Sequence, residues 1–63
     1  MNPKWLENLC ALVIEGIPIP HPEESKAMEA AGLILWYDYW QITVDGCEAM
    51  IKALRAKYGK EGG

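Results

Sequence analysis

Three side chains of this 63-residue chain are of types that perform nucleophilic or acid–base catalysis: Cys10, His21 and Cys47. A cysteine–histidine pair becomes catalytic when an orienting carboxylate and an oxyanion donor lie beside it. The spacing of these residues brings no such set together, so we expect no catalytic residue and no enzyme activity. Neither cysteine has metal-ligand spacing, and we expect no metal and no cofactor. His21, among three prolines, is interpreted as a surface-loop histidine.

Four aromatic residues within five positions are the most unusual local feature: Trp36, Tyr37, Tyr39 and Trp40. Successive side chains of a strand alternate between its faces, so a hairpin cannot direct every ring inward. The two tryptophans are either core residues or, with the tyrosines, part of an exposed surface. Because Tyr and Trp are enriched among interface hot spots, we predict a protein-binding surface here that includes Asp38.

Acidic residues concentrate in the first 48 positions, which hold eight carboxylates and two lysines. Glu23 and Glu24, at the start of the second predicted helix, are assigned to the same partner-binding surface as the hairpin. A solvated helix face is the simpler interpretation of these carboxylates, and mimicry of nucleic-acid phosphates toward a basic partner is the alternative. The hairpin rings could also stack on single-stranded nucleic acid, but that mode of binding needs a basic groove.

The end of the chain carries the opposite charge, with four basic residues and one glutamate in the last 15 positions. We expect Lys52, Arg55 and Lys57 to form a secondary basic contact for nucleic acid or an acidic protein. Basic residues near a helix C-terminus also complement the helix dipole and improve solubility without any binding role.

Capping and breaking signals predict three helices and one hairpin. Asn2 and Thr43 are helix N-caps, and glycines follow each predicted helix end. In chain order the elements are a helix from Pro3 to Gly16, an extended proline-rich connector over 17–22, a helix over 22–31, strands over 33–36 and 40–43 joined by a turn at 37–39, and a helix over 44–58.

Apolar residues at three- and four-residue steps predict which helix faces form the core. In the first helix these residues are Trp5, Leu6, Leu9, Leu12 and Val13, with Asn8 pointing elsewhere. In the third helix they are Val44, Cys47, Met50, Ile51, Leu54 and Tyr58. In the hairpin, Trp40 and Ile42 should share one face, with Gln41 on the other.

The chain is predicted to be a single small α+β domain over 1–63, with a two-stranded hairpin between the second and third helices and a frayed tail over 58–63. A composition of 51% hydrophobic and 24% charged residues is typical of a folded protein. Cys10 and Cys47 are interpreted as buried thiols, with a disulfide as the alternative. Without a secretory signal or a membrane-length apolar run, a cytoplasmic location is predicted. A core this small makes homodimerisation an alternative to a monomer.

The segments Ala-Ala-Gly-Leu-Ile (30–34) and Trp-Gln-Ile-Thr-Val-Asp-Gly-Cys-Glu-Ala-Met (40–50) resemble the latter part of a winged-helix domain. In that family a helix ends in a Gly-Leu-Ile-type step, a two-stranded wing follows, and an Ile/Leu-Thr-x-x-Gly segment opens the next helix. The resemblance covers roughly residues 24–55 and implies a winged-helix-like fold, truncated because the proline connector replaces one helix. The acidic helix before the wing and the lack of basic residues in the wing argue against the family's DNA-binding role in this chain.

These observations favour a small protein-interaction module over a catalyst. By analogy, such an acidic domain suits an accessory or inhibitory protein of a phage or mobile element, which binds a larger host complex through the aromatic hairpin and acidic helix. The alternative is a winged-helix transcriptional regulator that contacts DNA through Lys52, Arg55 and Lys57, as a dimer.

Overall fold

The computed structural model describes residues 1–59, which form three α-helices and one antiparallel hairpin. The elements, in chain order, are α1 (Pro3–Cys10), a π-helical turn (Ala11–Glu15), a 3-10 turn (Pro22–Glu24), α2 (Ser25–Ala30), β1 (Ile34–Tyr37), β2 (Tyr39–Ile42) and α3 (Val44–Tyr58). This layout, with the hairpin between the second and third helices, confirms the predicted α+β class.

The first helix begins and ends where the sequence indicates. The Asn2 side chain accepts a backbone N–H of the first turn at 2.8 Å, and Pro3 occupies the first helical position. Gly16 ends the helix with a φ of 67°, in the left-handed region that glycine adopts readily. Because the last turn is a wide π turn, the Ile17 N–H reaches back to the Ala11 carbonyl at 3.0 Å.

The core is small and lies where α1, α2, β1 and α3 meet. Its buried apolar residues are Leu9, Met28, Ile34 and Met50. Partly buried residues pack around them: Trp5, Leu6, Cys10, Leu12, Leu33, Trp40, Ile42 and Leu54. The predicted core face of the first helix is therefore confirmed except at Val13, which is 44% exposed because the π turn changes the angle between successive side chains.

The third helix buries only half of its predicted core face. Met50 is buried, and Cys47 and Leu54 are partly buried. The other three residues are exposed: Val44 (75%), Ile51 (47%) and Tyr58 (68%). The prediction that all six face the core is wrong, because the rest of the domain packs against one side of the helix only.

Both ends of α3 agree with the sequence. The Thr43 hydroxyl accepts a backbone N–H of the first turn at 2.9 Å, as predicted for an N-cap. Gly59 follows the last helical residue, Tyr58. Of the frayed tail predicted over 58–63, Tyr58 is helical, and residues 60–63 lie outside the described residues.

Asn8 corrects the predicted polar face of α1, because it is completely buried. Its side-chain amide accepts the backbone N–H of His21 and donates to the His21 carbonyl, both at 2.9 Å. The neighbouring prolines have no N–H of their own to donate, so this two-way hydrogen bond attaches the connector to α1.

The two cysteines are free thiols and are partly buried, not fully buried as predicted. Among residues 1–59, the helices are all too short or too polar to cross a membrane.

Candidate functional site

The aromatic hairpin reverses at a single residue, Asp38. Its φ of 68° lies in the left-handed region, which Asp tolerates better than most side chains. Tyr37 and Tyr39 were predicted to belong to the turn, but they are paired strand residues on either side of Asp38. Trp36 is paired with Trp40 in the next register position toward the core.

The two faces of the hairpin have different surroundings. Side-chain alternation places Ile34, Trp36, Trp40 and Ile42 on the face directed to the core, which confirms that Trp40 and Ile42 share a face. The opposite face carries Leu35, Tyr37, Tyr39 and Gln41. The isoleucines lie at the base of the hairpin within the core, whereas the tryptophans lie one step further toward its tip.

Three of the four rings are exposed to solvent. Trp36 is 55% exposed, Tyr37 70% and Tyr39 63%, while Trp40 is partly buried. The rings of Trp36 and Trp40 meet edge to face, with centroids 5.1 Å apart and planes at 70°. Aromatic pairs favour this geometry, so the contact orients Trp36 without burying it. Trp40 is therefore a residue of the core edge and Trp36 a surface residue.

An apolar groove of about 650 Å³ lies between the hairpin and the proline-rich connector. One wall consists of Trp36, Tyr39 and Trp40, and the other of Leu12, Pro22 and residues 16–19. None of these residues is charged, and their side chains offer only indole N–H groups and one phenol for hydrogen bonding. The groove therefore presents aromatic and aliphatic carbon to whatever binds there.

The connector wall of this groove is the part that the sequence analysis missed. Ile17 of the connector is 46% exposed and Ile19 only partly buried, so both isoleucines face the groove side of the molecule more than the core. The π turn and Gly16 direct this segment past the hairpin, and the Asn8 hydrogen bonds fix its far end. Alternating prolines were the available signal, because an extended segment cannot bury side chains on all sides.

The acidic residues assigned to the site make contacts within the fold and do not line the groove. The Glu24 carboxylate accepts the indole N–H of Trp5 at 2.7 Å, which ties it to α1. The Glu23 carboxylate lies 3.8 Å from Lys4 Nζ and 3.7 Å from His21 Nδ1. Because its side chain is 56% exposed, Glu23 is the more accessible of the two to a partner.

The ring nitrogens of His21 face two carboxylates. Nε2 hydrogen-bonds the carboxylate of Glu7, and Nδ1 lies near that of Glu23. With a side chain only 23% exposed, His21 is not the freely exposed loop histidine that was predicted. Within the described part of the chain, no three His, Cys, Asp or Glu residues are arranged to hold a metal ion.

The basic residues Lys52, Arg55 and Lys57 are all exposed on α3 but do not form one surface. Positions two apart on a helix point to nearly opposite sides, so Arg55 and Lys57 diverge. Lys57 borders α1 near Glu7, whereas Arg55 lies beside Ile51 on the outer side.

No protein-family model, curated protein or solved structure matches this chain.

Proposed function

We propose that this chain is a protein-interaction module that binds its partner through the aromatic hairpin and the adjoining groove. The observation that supports this most strongly is the exposure of Trp36, Tyr37 and Tyr39 beside an uncharged, apolar depression. Tyr and Trp supply large contact areas at low cost in conformational entropy, which is why they dominate interface energetics. Apolar surface of this kind is unfavourable in water, and a protein partner would remove it from solvent.

The charges around the groove favour a protein partner over a nucleic acid. Glu15 and Glu23 adjoin the connector wall in sequence, and Asp38 lies at the hairpin tip. Nucleic-acid binding depends on basic side chains that neutralise phosphates, and no basic side chain is among the residues that line the groove. The winged-helix DNA-binding regulator is therefore the weaker alternative, and the winged-helix resemblance itself stays a prediction.

The proposal includes the role predicted from the sequence. A small acidic domain with an apolar groove suits an accessory or inhibitory protein of a phage or mobile element that occupies a site on a larger host complex, by analogy of size and charge. We also propose a cytoplasmic location. The free thiols of Cys10 and Cys47 support it, because thiols persist in reducing compartments.

Trp36→Ala combined with Tyr39→Ala is expected to abolish capture of the partner by the immobilised chain from an extract of the source cell. Loss of a hot-spot ring costs about 2 kcal/mol or more, which is at least about 30-fold in affinity. Both rings are more than half exposed, so the variant should remain folded, with its free energy of unfolding lowered by about 0.5–1.5 kcal/mol through loss of the Trp36–Trp40 contact. Quantitative mass spectrometry of the retained proteins measures the effect.

Tyr58→Ala is the matched control, because Tyr58 is 68% exposed, close to the 63% of Tyr39, but lies at the end of α3. It should retain the partner. Capture that survives in the double variant would contradict the proposal. An equal loss in both variants would also contradict it, since exposed apolar area in general would then be responsible.

A further inference from the structure

The outer side of α3 carries an apolar stripe that the rest of residues 1–59 leaves exposed. Val44, Ile51 and Tyr58 form this stripe at intervals of seven residues, and all are at least 47% exposed. The partly buried Cys47 and Leu54 lie between them and complete an alternation of three and four residues. Two helices that carry this heptad pattern pack against each other along a common seam.

One acidic and one basic residue border the stripe at equivalent positions. Glu48 follows Cys47 in sequence, and Arg55 follows Leu54, so both occupy the heptad position after the inner seam residue. Both are exposed, and neither takes part in an ion pair within residues 1–59. They lie about 10 Å apart along the helix axis, too far to pair with each other in one copy.

We propose that two copies of this chain associate through α3, as an antiparallel helix pair with its twofold axis near Ile51. In this arrangement Ile51 packs on Ile51 of the second copy, and Val44 of each copy packs on Tyr58 of the other. Glu48 of each copy then lies opposite Arg55 of the other, which gives two ion pairs. A closed twofold dimer requires a surface that is complementary to itself in this way.

The charge pattern distinguishes this arrangement from a parallel pair. In a parallel helix pair, Glu48 would face Thr43 of the second copy, and Arg55 would face Met50. Neither contact is an ion pair, so charge complementarity favours the antiparallel orientation. The 15-residue helix is about 22 Å long, which places the interface at the small end of the size range and makes the dimer concentration-dependent.

Sedimentation equilibrium of the purified chain tests the proposal. The protein concentration should span about 10 μM to about 1 mM, because interfaces of this size are weak. The wild-type mass should rise from 7.1 kDa toward twice that value. Each of the single variants Glu48→Arg and Arg55→Glu replaces both ion pairs of the dimer by pairs of like charges. Each should therefore raise the dimer dissociation constant by about tenfold. The combined variant Glu48→Arg/Arg55→Glu exchanges the two charges and should restore wild-type association. Lys26→Glu, a charge reversal at an exposed position on α2, should behave as the wild type.

The proposal would be overturned if the chain stayed monomeric up to about 1 mM, because even a small interface should associate at that concentration. It would also be overturned if the charge-exchanged variant associated no better than the single variants. Trp36→Ala/Tyr39→Ala should dimerise as the wild type does, and Glu48→Arg should still capture the partner of the hairpin. Sedimentation of these variants therefore tests the dimer, and partner capture tests the hairpin surface, so either proposal can fail without the other.

Discussion

Gly46→Ala is expected to destabilise the domain by at least about 2 kcal/mol, as overpacking against fixed atoms does. Gly46 is buried in the first turn of α3, where an added Cβ would lie 2.0 Å from the Leu33 carbonyl oxygen and 2.8 Å from Ile42 Cγ1. The oxygen cannot move aside easily, because it accepts hydrogen bonds from the backbone N–H and the hydroxyl of Thr43, both at 3.0 Å.

The steric cost of the added Cβ at position 46 exceeds the gain in helix propensity from alanine. Alanine is ordinarily favoured over glycine in a helix by about 1 kcal/mol, which would stabilise the variant. A contact of 2.0 Å with a backbone atom outweighs this gain, because α3 must move away from Leu33 and lose packing at the core. The loss is a large fraction of the roughly 3–5 kcal/mol that a core of this size supplies.

Urea denaturation followed by tryptophan fluorescence measures this change. The control is Ala56→Gly, on the exposed side of the same helix, which changes helix propensity without a steric contact. It should lower the free energy of unfolding by about 1 kcal/mol. A Gly46→Ala variant at least as stable as the wild type would mean that α3 does not approach Leu33 as closely as described.

Asn8→Ala is expected to cost about 2–4 kcal/mol and to loosen one wall of the groove, because buried polar groups left unpaired cost about 1–3 kcal/mol each. The substitution removes both hydrogen bonds to the His21 backbone and leaves a small cavity beside Met28, whose sulfur lies 3.4 Å from the Asn8 amide nitrogen. The connector would then be held mainly by its apolar contacts, so its residues 16–19 should become mobile.

Amide hydrogen exchange reports the local part of this effect. The His21 amide should be protected in the wild type and exchange fast in Asn8→Ala, under conditions where both proteins remain folded. Asn2→Ala is the control for loss of an asparagine from the same helix; it removes an exposed N-cap and should cost about 1 kcal/mol without changing His21 exchange. Unchanged exchange of His21 in Asn8→Ala would contradict the role assigned to this side chain.

The ends of the helices could be predicted better than the ends of the strands, because caps and glycines act through local chemistry. Asn2 and Thr43 cap helices through their own side chains, and Gly16 and Gly32 adopt positive φ where helices end. These signals need no knowledge of the rest of the fold. The Trp36–Trp40 pairing likewise follows from alternation across a tight turn.

The burial of Asn8 and the exposed half of α3 could not be predicted from local pattern. Asn8 is buried because a connector thirteen residues further along returns to it, which is a long-range event. Val44 and Ile51 follow the helical period whether or not the core covers them, so periodicity alone does not distinguish a covered face from an exposed one. The groove could not be predicted from local pattern either, because its two walls are distant in sequence.

The most direct test of the central claim, that the hairpin groove binds a protein, replaces Tyr39 with the photo-crosslinking residue benzoylphenylalanine in the source cell. After irradiation and nuclease treatment, we expect a covalent adduct with a second protein. The same residue in place of Lys52, exposed on α3, should give no such adduct. Crosslinks from position 39 to nucleic acid, or protein adducts from position 52 alone, would contradict the account.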